Sequence, residues 1–449
     1  MRPVVLTIGG SDSGGGAGIQ ADIKTFSILG CHGTCVVTAI TAQNTLGVQK
    51  IFDVAAEAVS DQLESIIDDF QVSYAKTGML YSADIVRAVA KKLDDSSIPI
   101  VLDPVIEAEA GGRLLRPEAI EAMKELLIPQ ARVVTPNIFE ASDLTGIHVR
   151  DLQSMEMAAR AIIEMGAEAV IVKGGHLNCT DLLMKGENVY LLRGQRVKGG
   201  NHGVGCTFSA ALMSYLAKGR SLKEAAEAAK DFAVQAISRS IDAGKGVAPV
   251  NPTGCLIEKA ERFEVLSNVQ SALKIIKEDP GFVRRVHEMG SNIGMAIPEA
   301  VSLSEVAALE GGLIRAGEKV HQSGCIKFGC EDNIPRIVLT IMRFDPRCRA
   351  AMNLSPDCSV ACKRLKLNLV SLKGCENESN TSSMRLNIAE AIKMSGHPYA
   401  IFDAIGLNEE PMLMVVGRSA IEVANVATRL LRPAIREWQD INQSPMQEL

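Results

Sequence analysis

Val4-Val5-Leu6-Thr7-Ile8-Gly9-Gly10-Ser11-Asp12-Ser13-Gly14-Gly15-Gly16-Ala17-Gly18 decides how the first half of the chain is read. A β-branched apolar run leads into a glycine-rich turn, and the turn into a helix with Ile19, Ile23 and Phe26 on one face. Glycines at such a junction let backbone approach a ligand closely and leave amide groups free. The spacing is neither a Walker loop nor a dinucleotide fingerprint, so taken alone the segment also reads as a flexible turn.

Working outward, residues 98–102, 132–135 and 169–172 are further near-continuous apolar runs, the signature of strands covered on both faces. Longer amphipathic segments alternate with them to about residue 250, one opening with the capping-box pair Ser221 and Glu224. The alternation predicts an α/β fold with a central, mostly parallel sheet and helices on both faces. Residues 244–254 are rich in Gly and Pro and mark a domain boundary. The expected domains are 1–250 and 262–449, the second a smaller α/β unit with strands at 337–341 and 412–416.

Of the 449 residues, 47% are hydrophobic and 22% charged, which argues against long disorder. Forty-seven Lys and Arg against 53 Asp and Glu give a net charge of −6 without a dense basic run, which argues against nucleic-acid binding. No apolar stretch reaches the roughly 18 residues of a membrane span, and no basic n-region precedes the first strand; the expected location is the cytoplasm. Eleven cysteines, an odd number without C-x-x-C pairs, predict reduced thiols and no zinc site.

The chemistry concentrates at strand ends. Asp103-Pro104, Thr135-Pro136-Asn137 with Glu140, and Lys173-Gly174-Gly175 each terminate a predicted strand. In an open parallel sheet these ends face one cleft. The segment Gly203-Val204-Gly205-Cys206-Thr207-Phe208-Ser209 opens a helix whose freed amides would form an anion hole. There the thiol pKa of Cys206 should fall, and its thiolate could take a proton from a substrate hydroxyl. The bland alternative is a helix start with a small buried Cys.

Residues 1–250 closely resemble the ribokinase-like hydroxymethylpyrimidine (phosphate) kinases of thiamine synthesis. The resemblance rests on residues 11–22, on Thr41-Ala42-Gln43-Asn44-Thr45, on Lys173-Gly174-Gly175-His176, and on the strand-end and glycine–cysteine motifs above. It implies ATP- and Mg²⁺-dependent phosphorylation of 4-amino-5-hydroxymethyl-2-methylpyrimidine and then of its monophosphate, in a homo-oligomer. It also implies that the Gln43 amide reads the pyrimidine, with Gly10 and Met79 completing the pocket. Cys206 would be the base, Gly203 and Gly205 the anion hole, and Lys173 the cation facing the phosphoryl group. Asp103, Asn137 and Glu140 would organise Mg²⁺, directly or through water. Val204 stands where the family usually has Thr, so weaker phosphate binding is expected. A silent pyrimidine or nucleotide sensor is the competing class, and a pyridoxal-type kinase the nearest enzymatic rival; Gln43 argues against the latter.

In the second half, Arg336 and the cluster Arg343, Arg347 and Arg349 around Asp345-Pro346 could bind phosphate. Asn292-Ile293-Gly294, Phe328-Gly329 and Asp345-Pro346 through Asn353 resemble the ThiN-type thiamine-phosphate synthase domain, which joins pyrimidine diphosphate to thiazole phosphate. Two positions depart from that pattern: Asn333 replaces a His, and Gly312 replaces an Arg, with Arg315 close by. Asn cannot relay a proton as His can, and Glu331 and Asp332 would repel an anion. The expected role is binding of thiamine phosphate or thiazole phosphate without efficient catalysis, the alternative an active synthase; Arg315, Asn333 and Arg336 are its candidate residues.

Overall fold

The computed structural model describes residues 2–107, 112–359, 362, 369–372, 400–403 and 412–430. The chain divides into two compact units, Met1–Ile257 and Glu258–Leu449. The second expected domain, 262–449, therefore lies partly outside the described residues. The Gly-rich stretch before the division belongs to the first unit, where the Gly246 and Val247 amides bond to Thr45.

In the first unit nine strands form one sheet: β1 (Val4–Asp12), β2 (His32–Asn44), β3 (Gly47–Asp53), β4 (Val72–Thr77), β5 (Ile100–Leu102), β6 (Ala131–Val134), β7 (Val170–Val172), β8 (Thr180–Lys185) and β9 (Asn188–Arg193). Their order is β3-β2-β1-β4-β5-β6-β7-β8-β9, parallel from β2 through β7, with antiparallel strands at both edges. The four apolar runs are all strands, and two cores, one on each face, explain their continuous apolar character. On one face α1 (Gly18–Ile28) and α2 (Val204–Ala217) pack together. The capping box of Ser221 and Glu224 opens helix Leu222–Ser238.

The second unit has a seven-stranded sheet, mostly antiparallel, and a separate two-stranded ribbon, Leu313–Ala316 with Lys319–Gln322. The strand expected at 412–416 is Met412–Gly417. The one expected at 337–341 is instead inside a helix, Asn333–Met342. Its β-branched run suggested a strand, but Ile334, Ile337, Val338 and Ile341 are buried with helical spacing, and Asp332 caps the first turn. Among the described residues no helix is long and apolar enough to cross a membrane.

Candidate active site

β1 runs through Asp12, so Gly9 and Gly10 are strand residues and the turn proper is 13–17. Asp12 builds that turn: Oδ1 accepts the Gly14 amide at 2.8 Å, and Oδ2 accepts those of Gly16 and Ala17 at 3.0 and 2.8 Å. Burial opposes ionisation of Asp12, but His202 and these amides hold its carboxyl below the usual range. The turn interlocks with the second glycine segment. Gly203, at φ +83°, precedes α2, and a Cβ there would lie 1.9 Å from the Gly16 carbonyl oxygen. Only glycine fits both the dihedral and the gap.

The two segments and the strand ends enclose a cavity of about 580 Å³. Gly10, Gln43, Met79, Asp103, Asn137, Glu140, Lys173, Gly203, Gly205 and Cys206 all line it. At one end, Gln43 Oε1 accepts from the Thr41 hydroxyl at 3.1 Å, and Gln43 Nε2 is 3.5 Å from His202 Nε2. His202 Nε2 is also 3.1 Å from Asp12 Oδ2, an acceptor, so that nitrogen carries the proton and offers Gln43 no lone pair. The Gln43 amide thus keeps donors for a ligand. Met79 backs Gly10 closely: a Cβ on Gly10 would meet the Met79 sulfur at 2.9 Å.

At the other end, the Lys173 ammonium donates to Asp103 Oδ1 at 2.9 Å and would lie 3.2 Å from a Cβ built on Gly205. Lys173 therefore borders the start of α2 at Gly205. Asp103 also accepts from Ser209 at 2.9 Å and Thr135 at 3.2 Å. Burial opposes its ionisation, yet Lys173, Lys76 and Ser209 hold its carboxyl below the usual range.

Two expectations need correction, and one between them narrows to the second of its alternatives. The Cys206 thiol is not lowered: burial, aided by Asp22 and Asp103, pushes it up to about 12 against Lys76 and the Gly18 backbone. Desolvation outweighs the helix start, so the thiol of the unliganded protein is protonated at neutral pH. Asn137 and Glu140 do not form an open ligand set. The Asn137 side chain caps helix Ile138–Thr145 by accepting from Phe139 and Glu140 amides, while Glu140 Oε2 accepts the Asn137 amide at 2.7 Å. Burial and Asp103 push Glu140 up to about 7, against Lys173. Among the described residues no group of three His, Cys, Asp or Glu is placed to hold a metal. These donors fit a cation held through water rather than by direct ligation. The other correction concerns the second unit. Asn333 lines a separate cavity of about 270 Å³, but Arg315 and Arg336 do not. Arg315 spends its guanidinium on the Val286 carbonyl, with Nε at 3.0 Å, and Arg336 is exposed.

Several residues that the sequence reading did not single out belong to the sites. In the first cavity these are Asp12, Asp22, Lys76 and His202. Lys76 carried a signal, being the one charge in the strand Val72–Thr77. In the second cavity His287 joins Asn333, together with Asn292 and Asn353, quoted above only within motifs, and Asp332, read above only as a charge. Asp332 caps the Asn333 helix and accepts from the Asn292 amide, so its carboxylate has structural work besides any repulsion. A Cβ at Gly312, φ +69°, would stand 2.7 Å from the Ser291 carbonyl oxygen, so no arginine fits there without movement.

A cleft lined by a lysine cation, a glycine-rich helix start and a side-chain amide, on a ribokinase-like sheet, is suited to small-molecule phosphotransfer. The chain belongs to the phosphomethylpyrimidine kinase family, whose model matches residues 12–251, and the model of thiamine-phosphate synthase ThiN matches residues 268–429. The hydroxymethylpyrimidine/phosphomethylpyrimidine kinase of Haemophilus influenzae is 48% identical over 256 residues, covering 55% of this chain and 95% of that protein. The thiamine biosynthesis bifunctional protein ThiED of Geobacter sulfurreducens is 46% identical over 255 residues, 56% of this chain and 52% of that one. Among solved structures, the Staphylococcus aureus pyridoxal kinase with AMP-PCP and pyridoxal aligns with a TM-score of 0.52 at 36% identity, covering 57% of this chain and 95% of that one. The first unit is thus a phosphomethylpyrimidine kinase of thiamine biosynthesis.

Proposed function

We propose that the first unit phosphorylates 4-amino-5-hydroxymethyl-2-methylpyrimidine and then its monophosphate, using ATP and Mg²⁺. The observation that carries this reading is the single cavity lined by both Gln43 and Cys206. Gln43 holds the heterocycle by its amide, Met79 and Gly10 form the adjoining wall, and the hydroxymethyl group faces the start of α2. There Cys206 accepts the hydroxyl proton as oxygen attacks phosphorus, once its own proton has been lost. The amides at Gly203 and Gly205 and the Lys173 ammonium stabilise the charge that builds on the phosphoryl oxygens. Glu140 and Asp103 would hold Mg²⁺ through water, and the ion would supply further neutralisation of the phosphates. Val204 has no hydroxyl and its amide already donates to the Asn201 carbonyl at 3.1 Å, which supports phosphate binding weaker than a threonine would give.

The nearest rival, a pyridoxal-type kinase, shares the scaffold; an amide at Gln43, able to donate to a ring nitrogen and accept from an exocyclic amine, favours the aminopyrimidine. The test is full-length protein with ATP, Mg²⁺ and hydroxymethylpyrimidine, followed by mass analysis. Appearance of mono- and then diphosphate supports the reading; phosphorylation of pyridoxal alone overturns it.

For the ThiN unit we read ligand binding without efficient synthesis, at the cavity of Asn333, and the kinase unit would supply its pyrimidine diphosphate. Support comes from Asn333 standing at the cavity wall where a proton relay is expected, and from Arg315 being engaged elsewhere. Thiamine phosphate formed at useful rates from pyrimidine diphosphate and thiazole phosphate would defeat this reading. A homo-oligomer and a cytoplasmic location complete the proposal.

A further inference from the structure

Set into the cavity wall is a buried ion pair to which the proposed mechanism assigns no role. Lys76 Nζ is 2.9 Å from Asp22 Oδ2, and both side chains are about 1–2% exposed. The same oxygen accepts the Thr7 hydroxyl at 2.6 Å, while Asp22 Oδ1 is buried without a hydrogen-bond partner. Lys76 Nζ donates to Asp22 alone among the described residues. A pair this dry is costly to build, since two ions leave water for one strong contact and an unfilled oxygen. Such a cost suggests a use.

The elements point that use at Cys206. Asp22 follows Gly18 by one helical turn, and helical side chains lean toward the N-terminus, so its carboxylate lies over the first turn of α1, which lines the same cavity as Cys206. Lys76 is on β4, which packs against α2 as α1 does. A Cβ on Gly78, at the strand end lining the cavity, would be 3.4 Å from Lys76 Nζ. The charged groups that act on the thiol therefore come from four elements: Asp22 of α1, Lys76 of β4, Asp103 after β5 and Lys173 after β7.

We propose that Lys76, anchored by Asp22, is a positioning residue whose fixed charge stabilises the Cys206 thiolate while Lys173 is occupied with the transferring phosphoryl group. Its 2.9 Å contact with Asp22 keeps Lys76 ionised and stationary at the cavity wall. Burial opposes a charged Lys76, but Asp22, Cys206 and Asp103 more than offset this and raise it. The two members of the pair act on the thiol with opposite signs: Lys76 favours its ionisation and Asp22 opposes it.

The consequence for catalysis rests on Cys206 being the proton acceptor, but the test does not. The full-length, unliganded protein is treated with iodoacetamide at pH 8, and modification of Cys206 is followed by peptide mass spectrometry. Lys76→Met should slow it, and Asp22→Asn should speed it, each by about tenfold, the effect of one pKa unit on the thiolate fraction. Circular dichroism establishes that each variant is folded; should Lys76→Met not fold, Asp22→Asn decides by itself. Rates within twofold of wild type, or shifts of the same sign in folded variants, overturn the proposal. If the opposite shifts appear but Cys206→Ala turns over normally, the base assignment fails and the coupling stands. If they are absent while Cys206→Ala is inactive, the coupling fails and the base assignment stands.

Discussion

Replacing Gly203 by Ala perturbs the junction on which the anion hole depends. Its φ of +83° costs an L-residue about 1–2 kcal/mol. The new Cβ would also sit 1.9 Å from the Gly16 carbonyl oxygen, a backbone atom that cannot swing aside. Restoring contact distance requires the glycine turn and the start of α2 to separate by roughly 1 Å, and a misplacement of that size at a reacting centre costs about a hundredfold in rate. Gly219 supplies the control: its φ is +84°, but a Cβ there meets nothing within 4 Å. Gly219→Ala should carry the backbone strain, lowering Tm by several degrees, with kcat/KM near wild type. Steady-state kinetics with hydroxymethylpyrimidine and ATP measure both. Gly203→Ala turning over like wild type, or Gly219→Ala losing as much activity, would refute the interlocking-turn argument.

Gln43→Leu should raise KM for the pyrimidine by tens of fold with a smaller change in kcat, because the lost amide contacts are made in ground and transition states alike; a KM within twofold would remove Gln43 from the pocket. Lys173→Met should depress kcat by at least about a hundredfold and leave Asp103 as an unpaired buried carboxylate, visible as a loss of thermal stability. Glu140, raised from 4.5 to about 7, contributes stability that is complete below its unfolded pKa and is lost as pH rises through 7. Wild type should therefore weaken relative to Glu140→Gln between pH 4.5 and 7.5, by about 3 kcal/mol in the unliganded state; parallel pH profiles of Tm would contradict this. Thiamine phosphate at a hundred times its Kd should stabilise the ThiN unit by about 2.7 kcal/mol without turnover; no shift in melting would exclude binding.

Strand identity in the first unit was legible because parallel strands buried on both faces leave uninterrupted apolar runs, and the motifs at their ends line one cavity as expected for an open sheet. The helix Asn333–Met342 was misread because a short β-branched run has no period decisive enough to exclude a strand, and the capping signal lay in Asp332, read only as a charge. The Cys206 thiol was misjudged for another reason. A helix start is visible in sequence, whereas the depth of burial that outweighs it is a property of the folded cavity. Asp22 and Lys76 are 54 positions apart, and nothing local announces that they meet. Arg315 was credited with phosphate binding on proximity in sequence, but the ribbon on which it sits turns it to a main-chain carbonyl.

The central claim is that the heterocycle-binding amide and the sulfur at the helix start serve one reaction. Cys206→Ala, assayed for pyrimidine binding by calorimetry and for phosphoryl transfer by rapid quench, tests it most directly. The account predicts a Kd within a few-fold of wild type and transfer slowed by about a hundredfold or more. Transfer at the wild-type rate would contradict it.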